Sequence, residues 1–421
     1  MNILHVSHTD LVGGRFTGYY MQQELGQDHT VDMAVWNRTA DNPRVHSLRP
    51  SRLFRRPVAV AKKCDTVLGL EGLTGVGGWT LPGQDYFKRA DVVHLHLVHN
   101  DAYFSMASLP ALSRKKPLVW TIHDPWAMTG GCLYPFDCDR WMNGCRYPCP
   151  YPRRKSLLQH RMPSLNWQIK KRIYQRSDLT LVVASRWMQE RVRQSPLLGH
   201  LPCHLIPFGI DLQTFRPRDK AECRKMLGIR PDQKVIAFRD VGLSNDRFKG
   251  LHWLMEALKR YQPREPACLL ILGNGQDFQQ LQPKYRVMTP GWIDDEHLPV
   301  ALAAADIFLM PSVQEAFGLM AVEAMACGTP VITFDGTSLP DVIKAPQGGL
   351  VVPAKDSAAL AGAMETLLED DDLRNRLGTQ ARQIAEQEYA FPLYIQRHLK
   401  LYEEVIEHHR QRTKTREMHH P

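Results

Sequence analysis

The sequence predicts an α/β protein made of two doubly wound, Rossmann-like domains. Strand-like apolar runs alternate with helix-like stretches through both halves of the chain, which is typical of a parallel sheet covered by helices on both faces. Several runs are continuously apolar, such as ACLLIL at 267–272, and this indicates strands that are buried on both sides. A chain of 421 residues has room for two or three domains of about 150 residues each.

The predicted strands follow the apolar runs in chain order. In the first half they lie at 3–7, 31–36, 92–97, 118–122, 179–184 and 204–207, and in the second half at 235–238, 269–272, 307–310, 331–334 and 350–352. We expect a first domain at 1–207 with a cysteine-rich insertion at about 130–150, and then a linker at 208–217, where glycine, proline and aspartate favour a turn. We expect the second domain at 218–385, helices that pack back on the first domain at 386–410, and a disordered polar tail at 411–421.

Composition and charge limit the membrane topology, the cellular location and the ligands that we expect for this protein. The sequence has no apolar run of about 20 residues, so no span across a bilayer is expected. It also begins without the basic region and cleavage site of a signal peptide, so we expect a cytoplasmic protein. The net charge of +9 suits phosphate-bearing ligands, nucleic acid or an anionic membrane face. The basic clusters at 49–63 and 153–155 are either ordinary solvated surface or a means of attracting a membrane leaflet or a pyrophosphate acceptor.

The segment PSVQEAFGLMAVEAMACGTPV at 311–331 carries the strongest functional signal. It predicts the end of a strand, a loop, a helix, a tight turn and the next strand, with Glu315 just before the helix. The amides at the helix start and the helix dipole form an anion site, and Gly318 lets a phosphate approach the backbone closely. Glu323, farther along the helix, can accept hydrogen bonds from hydroxyls. Two isolated carboxylates would indicate an ordinary helix, but the whole string favours a binding site.

Other candidate residues follow strands, at the edge where doubly wound sheets bind ligands. Gly13 and Gly14 come after the first strand, and Gly273 and Asn274 come after a strand of the second domain. These glycine turns are weak evidence alone, and the absence of a GxGxxG pattern after the first strand argues against a nicotinamide enzyme. His123 follows the strand at 118–122 and is a candidate polar contact, although a single histidine is more often structural.

The pattern Glu-x-Phe-Gly-Leu, with a second glutamate eight residues after the first and then Ala-Met-Ala-Cys-Gly-Thr-Pro-Val, resembles the donor-site signature of the retaining family 4 glycosyltransferases. The resemblance covers nearly the whole chain, because the glycine turn after the first strand, IPFGID at 206–211, FKGL at 248–251 and GGLVVP at 348–353 follow in order. It implies the GT-B fold, in which a cleft lies between two Rossmann-like domains. It also implies transfer of a sugar from a nucleotide-diphosphate donor to a hydroxyl, with the anomeric configuration retained.

The resemblance implies roles for individual residues. Glu315 would contact hydroxyls of the transferred sugar and stabilise positive charge near its anomeric carbon. The backbones of Phe317, Gly318 and Leu319 would bind the diphosphate, and Glu323 would bind the ribose. His123 is expected to be a catalytic residue that positions the donor sugar or the acceptor. The donor is also expected to contact Gly13, Gly14, Gly273 and Asn274.

Lys249 would neutralise the departing diphosphate, whose β-phosphate gains negative charge when the bond to the sugar breaks. The family has a basic partner five or six residues before this lysine, where this sequence has Ser244 and Leu243. Arg247 and Arg239 are the candidates to replace that partner. We favour Arg247, because related sequences carry a basic residue close to the lysine.

The nine cysteines fall into two groups. Five are scattered and suit small core positions: Cys64, Cys203, Cys223, Cys268 and Cys327. Four follow the spacing C-x5-C-x6-C-x3-C, in a segment that resembles a bacterial exopolysaccharide subgroup with colanic-acid-type enzymes: Cys132, Cys138, Cys145 and Cys149. In a reducing cytosol, clustered thiols favour a structural zinc ion over disulfides. Unpaired packing cysteines and disulfides remain the alternatives, since this spacing is not that of a standard zinc finger.

The resemblance, together with the basic clusters, implies a hexosyltransferase of bacterial polysaccharide biosynthesis that acts on a polyprenyl-pyrophosphate-linked saccharide in peripheral contact with an anionic membrane. Catalysis would require no metal, because Lys249, an arginine and the helix amides supply the positive field. Two alternatives remain. A GT-B nucleotide-sugar epimerase would need the donor alone. A non-catalytic nucleic-acid binder is suggested by the charge, but it gives the 315–330 segment no role.

Overall fold

The computed structural model describes residues 1–50, 55–70, 72–99, 103–151, 157–240, 248–291 and 296–419. The chain divides into two compact units, which we call unit 1 (Met1–Ile206 with Ile395–Pro421) and unit 2 (Pro207–Tyr394). Each unit has its own parallel sheet and its own buried apolar core.

Unit 1 contains a seven-stranded parallel sheet in the order β3-β2-β1-β4-β5-β6-β7. Its strands are β1 (Asn2–Thr9), β2 (Thr30–Asn37), β3 (Val45–Ser47), β4 (Val92–Leu95), β5 (Leu118–Thr121), β6 (Leu179–Val183) and β7 (Cys203–Leu205). Its first eight helices are α1 (Gly14–Thr17), α2 (Tyr19–Leu25), α3 (Arg55–Leu68), α4 (Gly77–Thr80), α5 (Asp85–Arg89), α6 (Leu109–Lys115), α7 (Leu157–Gln175) and α8 (Arg186–Gln194). Short 3-10 helices lie at Leu81–Gly83, Met106–Ser108, Pro125–Met128 and Arg140–Asn143.

The central strands of unit 1 determine where its candidate residues lie. Every residue of β4 and of β5 is buried, as expected for strands between two layers of helices. β1 pairs with β2 on one side and with β4 on the other, so the strand order reverses at β1. Doubly wound sheets bind ligands at such a point, beyond the carboxyl ends of the strands. Gly13 follows β1 and His123 follows β5 at this edge.

Unit 2 contains a six-stranded parallel sheet in the order β10-β9-β8-β11-β12-β13, which reverses at β8. Its strands are β8 (Val235–Asp240), β9 (Ala267–Gly273), β10 (Tyr285–Met288), β11 (Ile307–Met310), β12 (Val331–Phe334) and β13 (Gly349–Val352). Its helices are α9 (Lys220–Met226), α10 (Leu251–Arg260), α11 (Leu298–Ala304), α12 (Leu319–Ala326), α13 (Leu339–Val342), α14 (Ser357–Glu369) and α15 (Asp371–Glu388), with a 3-10 helix at Gln276–Leu281. The last helix, α16 (Phe391–His419), starts in unit 2 and belongs to unit 1 from Ile395 onward.

The core of unit 2 joins its sheet to α10 and α14. Leu254 and Leu258 of α10, Leu309 of β11 and Met364 of α14 are each at most 1% exposed and belong to one apolar cluster. Burial of one such side chain contributes about 1.5–3 kcal/mol. This core holds the carboxyl ends of β8, β9 and β11 in fixed positions beside one another.

The structure differs from the sequence-based expectation at two edge strands and at the end of the chain. The predicted strands did not include β3 and β10, which are sheet edges of three and four residues with polar residues such as His46 and Arg286. We expect disorder from 411, whereas α16 continues to His419. The sequence has no glycine or proline between 393 and 420 that would end this helix. Among the described helices, none has the length and apolar character that a membrane crossing requires.

Candidate functional site

The start of α12 has no side-chain cap. Its N-cap residue, Gly318, has φ 93° and ψ 56° in the left-handed region. A Cβ atom at this position would collide with Leu339, so glycine is required by both conformation and space. In contrast, the side chains of Asp219, Asp356 and Asp370 cap α9, α14 and α15. The first turn of α12 therefore presents its amides and the positive end of its dipole to an anion.

The loop before α12 lies against the loop before α10. The carbonyl oxygen of Phe248 accepts hydrogen bonds from the backbone amides of Val313 at 2.7 Å and Gln314 at 3.2 Å. Gly250, the N-cap of α10, has φ 72°, and a Cβ atom there would collide with the carbonyl oxygen of Pro311. These backbone contacts fix the two loops side by side.

The two loops place Lys249 beside Glu315. The Nζ atom of Lys249 is 2.6 Å from Oε2 of Glu315, and the two side chains are 38% and 12% exposed. The carboxylate also lies near the helix start, because its Cγ atom would be 3.5 Å from a Cβ atom on Gly318. A cation, a carboxylate and the start of α12 thus occupy one small region of unit 2.

Arg239 also reaches the start of α12. It is the next-to-last residue of β8, is exposed, and places Nη1 3.5 Å from the Sδ atom of Met320 in the first turn of α12. The pairing of β8 with β11, the strand that precedes α12, explains this proximity. Arg247, the arginine that we favour as the partner of Lys249, lies outside the described residues. Of the two arginines considered as partners of Lys249, Arg239 is therefore the one that the structure describes, and it lies beside α12.

A glycine turn follows β9 at the same edge of the sheet. Gly273 has φ 143° and pairs with Asp240 of β8, whose backbone leaves no room for a side chain at this point. The Oδ2 atom of Asp240 accepts a hydrogen bond from the amide of Gly275 at 2.7 Å, which fixes the turn. Asn274 is exposed. Because β8 lies between β9 and β11, Asn274 and the start of α12 extend from the same edge of the sheet.

Two predicted donor contacts have covered side chains. Phe317 is 4% exposed, and its ring packs edge-on against those of Phe208 and Tyr389, with centroids 5.2 and 5.8 Å away. A ligand would therefore meet the backbone of Phe317 rather than its ring, whereas Leu319 at the start of α12 is half-buried. Glu323 is 0% exposed. The ribose contact expected of Glu323 stays a prediction, and it requires a side chain that is fully covered in this structure.

In unit 1, Asp10 anchors the turn after β1. Its buried carboxylate accepts hydrogen bonds from the amides of Thr39 at 2.7 Å and Ala40 at 2.8 Å. Burial acts to raise the pKa of Asp10, but these bonds outweigh it and hold the pKa below its usual value. Gly13, the N-cap of α1, has φ 72°, and Gly14, the first residue of α1, is buried. The glycine pair thus serves a tight turn at the ligand-binding edge of the sheet.

His123 lies between two aromatic rings at the same edge of unit 1. Its ring centroid is 6.0 Å from that of Phe16 and 5.8 Å from that of His96. Burial lowers the pKa of His123 to about 4, although the neighbouring Asp124 opposes this shift. Asp124 itself is held by His99, whose Nε2 atom is 3.2 Å from its carboxylate. His123 is therefore a neutral hydrogen-bonding group at neutral pH.

A buried histidine network lies beside His123, and sequence reasoning missed it. His5 of β1 pairs in register with His94 of β4, and Nδ1 of His5 is 3.0 Å from Nε2 of His96. The two ring nitrogens of His94 lie 2.6 Å from the hydroxyl of Tyr402 and 2.7 Å from that of Thr121. The sequence carries a signal, since two predicted strands contain histidines, but only the pairing of β1 with β4 brings them together.

The network has the spacing of a metal site and is partly hydrogen-bonded, with Nε2 of His5 and Nδ1 of His96 buried without a hydrogen-bond partner. One nitrogen from each of His5, His94 and His96 lies within 4.8 Å of the others. All three rings are buried, and both nitrogens of His94 are engaged. A Cβ atom on Gly18 would be 2.8 Å from His96 and 2.9 Å from His5, so the backbone packs directly on the pair. We therefore assign the network a structural role.

Acid should destabilise unit 1 through this network. Burial is the main reason that the pKa of His5 falls from 6.5 to about 3 on folding. The unfolded chain therefore takes up a proton as the pH falls through 6.5, while the folded chain does not until about pH 3. Protonation of His5 therefore has no effect on stability above pH 6.5. Between pH 6.5 and about pH 3 it lowers the unfolding free energy by up to about 1.4 kcal/mol per pH unit.

Urea unfolding at about pH 7.5 and about pH 5 measures this effect. The unfolding free energy of the wild type should be lower at about pH 5 than at about pH 7.5. The decrease should be smaller in H5Q, because this variant lacks one buried group that resists protonation. The exposed His200 offers the matched control, and H200Q should behave like wild type. Equal losses of stability in wild type and H5Q would contradict the assignment.

Comparison with known families identifies the fold. Residues 219–384 match the model described as "Glycosyl transferases group 1", and residues 28–214 match "Glycosyltransferase Family 4". The two matches leave uncovered only residues 1–27, 215–218 and 385–421. The chain belongs to the GT-B glycosyltransferase superfamily. Its two parallel Rossmann-like sheets and its GT-B neighbours confirm the predicted fold class.

Individual proteins resemble the chain over different lengths. D-inositol 3-phosphate glycosyltransferase of Nocardia farcinica is 32% identical over 192 residues, 42% of this chain and 42% of its own length. The chain spans about half the length of the curated relatives it matches. Sucrose-phosphate synthase of Thermosynechococcus elongatus is 20% identical, with a TM-score of 0.66 over 96% of this chain and 99% of its own. The Anabaena protein HepE in complex with UDP is 18% identical, with a TM-score of 0.65 over 96% of this chain and 100% of its own.

Proposed function

We propose that this protein is a retaining glycosyltransferase that moves a sugar from a nucleoside-diphosphate donor to a hydroxyl of a saccharide acceptor. The observation that carries the proposal is the Lys249–Glu315 pair, 2.6 Å apart, beside the uncapped start of α12. The diphosphate of such a donor is negative, and its sugar becomes positive as the bond between them breaks. A cation, helix amides and a carboxylate in one region match both developing charges.

In this proposal the donor diphosphate lies at the first turn of α12. The amides near Gly318 and Leu319 donate hydrogen bonds to its oxygens, and Lys249 and Arg239 supply positive charge. Solved structures of HepE contain UDP and UDP-glucose, which supports a nucleotide-sugar donor for a protein of this fold. We expect Asn274, which follows β9 at the same edge of the sheet, to contact the donor.

The reaction follows from these charges. As the bond from the anomeric carbon to the β-phosphate oxygen breaks, Lys249 exchanges its contact with Glu315 for one with the departing diphosphate. The carboxylate of Glu315 then stabilises the positive charge on the sugar. The acceptor hydroxyl attacks from the face that the diphosphate leaves, and a diphosphate oxygen takes its proton. The new glycosidic bond therefore keeps the donor's anomeric configuration.

Unit 1 would supply the acceptor contacts. A neutral His123 would orient a hydroxyl by hydrogen bonding, since a pKa of about 4 leaves no cationic form at neutral pH. We propose a polyprenyl-pyrophosphate-linked saccharide of bacterial polysaccharide biosynthesis as the acceptor, at an anionic cytoplasmic membrane face. The net charge of +9 and the basic cluster that begins at Arg49 support this choice. The second basic cluster, at 153–155, lies outside the described residues.

A two-stage assay tests the proposal. A thermal-shift screen of nucleotide sugars selects the donor, because a bound ligand stabilises the folded chain. Transfer from that donor to a pyrophosphate-linked saccharide is then measured, and NMR of the product gives the new anomeric configuration. A retained configuration supports the proposal, and an inverted one contradicts it. Epimerised donor in the absence of acceptor would instead identify an epimerase. Salt-sensitive nucleic-acid binding without any donor-induced shift would exclude the transferase.

A further inference from the structure

The segment 129–151 of unit 1 contains four cysteines and little regular structure. Its only helix among these described residues is the four-residue turn Arg140–Asn143. Long irregular segments inside compact units are uncommon and need contacts to hold them in place. Small segments without an apolar core commonly obtain such contacts from a metal ion or disulfides.

The four thiols surround one cavity. The lining residues include all four: Cys132, Cys138, Cys145 and Cys149. None of them is in a disulfide, and each is half-buried. The four cysteines therefore share one space, whose lining also includes Trp141 and Met162.

Polar groups around the cavity are placed to stabilise sulfur in its ionised form. The amide of Gly130 donates to Sγ of Cys145 at 3.2 Å. The amide of Tyr151 donates a hydrogen bond to Cys149. Donors of this kind surround metal-bound ligands and tune them.

Lys170 of α7 adds a buried positive charge beside the loop. It is 2% exposed, and its Nζ atom donates to the carbonyl oxygens of Trp126 at 2.8 Å and Thr129 at 3.0 Å. The ammonium also lies 3.3 Å from the centre of the Trp126 ring, which stabilises its charge. A divalent ion with four thiolates would carry a net negative charge and would attract this ammonium.

We propose that Cys132, Cys138, Cys145 and Cys149 together bind one structural zinc ion. Four thiolates in a tetrahedron are a ligand set that Zn²⁺ favours. On binding, each thiol loses its proton to solvent and a sulfur–zinc bond forms, with no change of oxidation state. Among the described residues, only the three-histidine network already has ligand atoms within 4.8 Å of one another. The cysteine sulfurs therefore draw together when the ion binds.

The backbone of the loop is held in an uncommon conformation at one of the four cysteines. Gly144 and Cys145 are both in the left-handed region, with φ 97° and 48°. The bonds of Lys170 to Trp126 and Thr129 connect the metal loop to the segment that follows His123. The bound ion would fix that segment, and it would take no part in the sugar-transfer chemistry.

Elemental analysis of the full-length chain, purified under reducing conditions, tests the proposal. We expect about one zinc ion per chain in the wild type. C138S and C149S should each lose most of it, while C203S, which removes a half-buried cysteine of β7, should keep it. Zinc-free protein loaded with Co²⁺ alone should show intense thiolate-to-cobalt absorption, which C138S lacks. Zinc affinity should also fall as the pH is lowered, because protons compete for the thiolates.

Measurements on the wild type decide the matter even if a variant fails to fold. Metal-free protein in which all nine thiols react with a thiol reagent would overturn the proposal. A mass that shows disulfides among the four cysteines would also overturn it, as would bound iron with strong visible absorption, which indicates an iron–sulfur cluster. These measurements do not depend on sugar transfer, so the zinc site can be disproved without disproving the proposed function, and the reverse also holds.

Discussion

Replacing Glu315 with glutamine is expected to slow sugar transfer roughly 100- to 1,000-fold while leaving the fold intact. Glutamine keeps the size of the side chain and can still accept a hydrogen bond from Lys249. It lacks the negative charge that stabilises the sugar as its anomeric carbon becomes positive. Because Lys249 is 38% exposed, the stability of the pair is screened by water, and the unfolding free energy should change by about 1 kcal/mol or less.

The measurement is kcat at saturating donor and acceptor, with thermal unfolding of the same samples. E256Q is the matched control, because Glu256 lies on α10 of the same unit and pairs with Lys259 at 2.9 Å. E256Q should keep wild-type activity. The affinity of E315Q for the nucleoside diphosphate should stay close to wild type, since other groups hold the phosphates. A folded E315Q protein with near-normal kcat would disprove the role of this carboxylate.

Replacing Lys249 with methionine is expected to weaken both donor binding and catalysis. Methionine keeps an unbranched side chain of similar shape but carries no charge for the diphosphate. A hydrogen bond to a charged group contributes about 1.5–3 kcal/mol, so the affinity for the nucleoside diphosphate should fall roughly 10- to 100-fold. The kcat should fall roughly 100- to 1,000-fold, because the leaving group loses its main point charge.

Calorimetry with the nucleoside diphosphate and kcat under saturation measure the two effects. K259M is the control for loss of a lysine in the same unit, and it should alter neither quantity. The two site variants should also differ from each other, because E315Q affects the rate alone and K249M affects both rate and affinity. Unchanged affinity in a folded K249M protein would place the diphosphate elsewhere.

The buried centres of both sheets are predictable from the sequence because their strands are continuously apolar. The run at 267–272 indicates β9 without knowledge of its neighbours, and all seven residues of that strand are buried. The edge strands β3 and β10 carry His46 and Arg286, and such short mixed segments give no distinct pattern. Their pairing with β2 and β9 depends on the rest of the sheet, which local sequence does not specify.

The candidate site is predictable only in part. The 311–331 string and the family resemblance point to Glu315 and Lys249, but these residues are 66 positions apart, and their contact depends on two loops closed by backbone bonds. The position of Arg239 beside Met320 likewise requires the pairing of β8 with β11. The histidine network depends on the register of β1 with β4. In each case the missing information is which strands are neighbours.

A crystal structure of the chain with the nucleoside diphosphate that gives the largest thermal shift tests the donor site most directly. We expect its phosphate oxygens within hydrogen-bonding distance of the amides at the start of α12 and of Nζ of Lys249. In that complex the lysine should have left Glu315, whose carboxylate then faces the position of the sugar. A nucleotide bound elsewhere, with the start of α12 unoccupied, would contradict the proposed site.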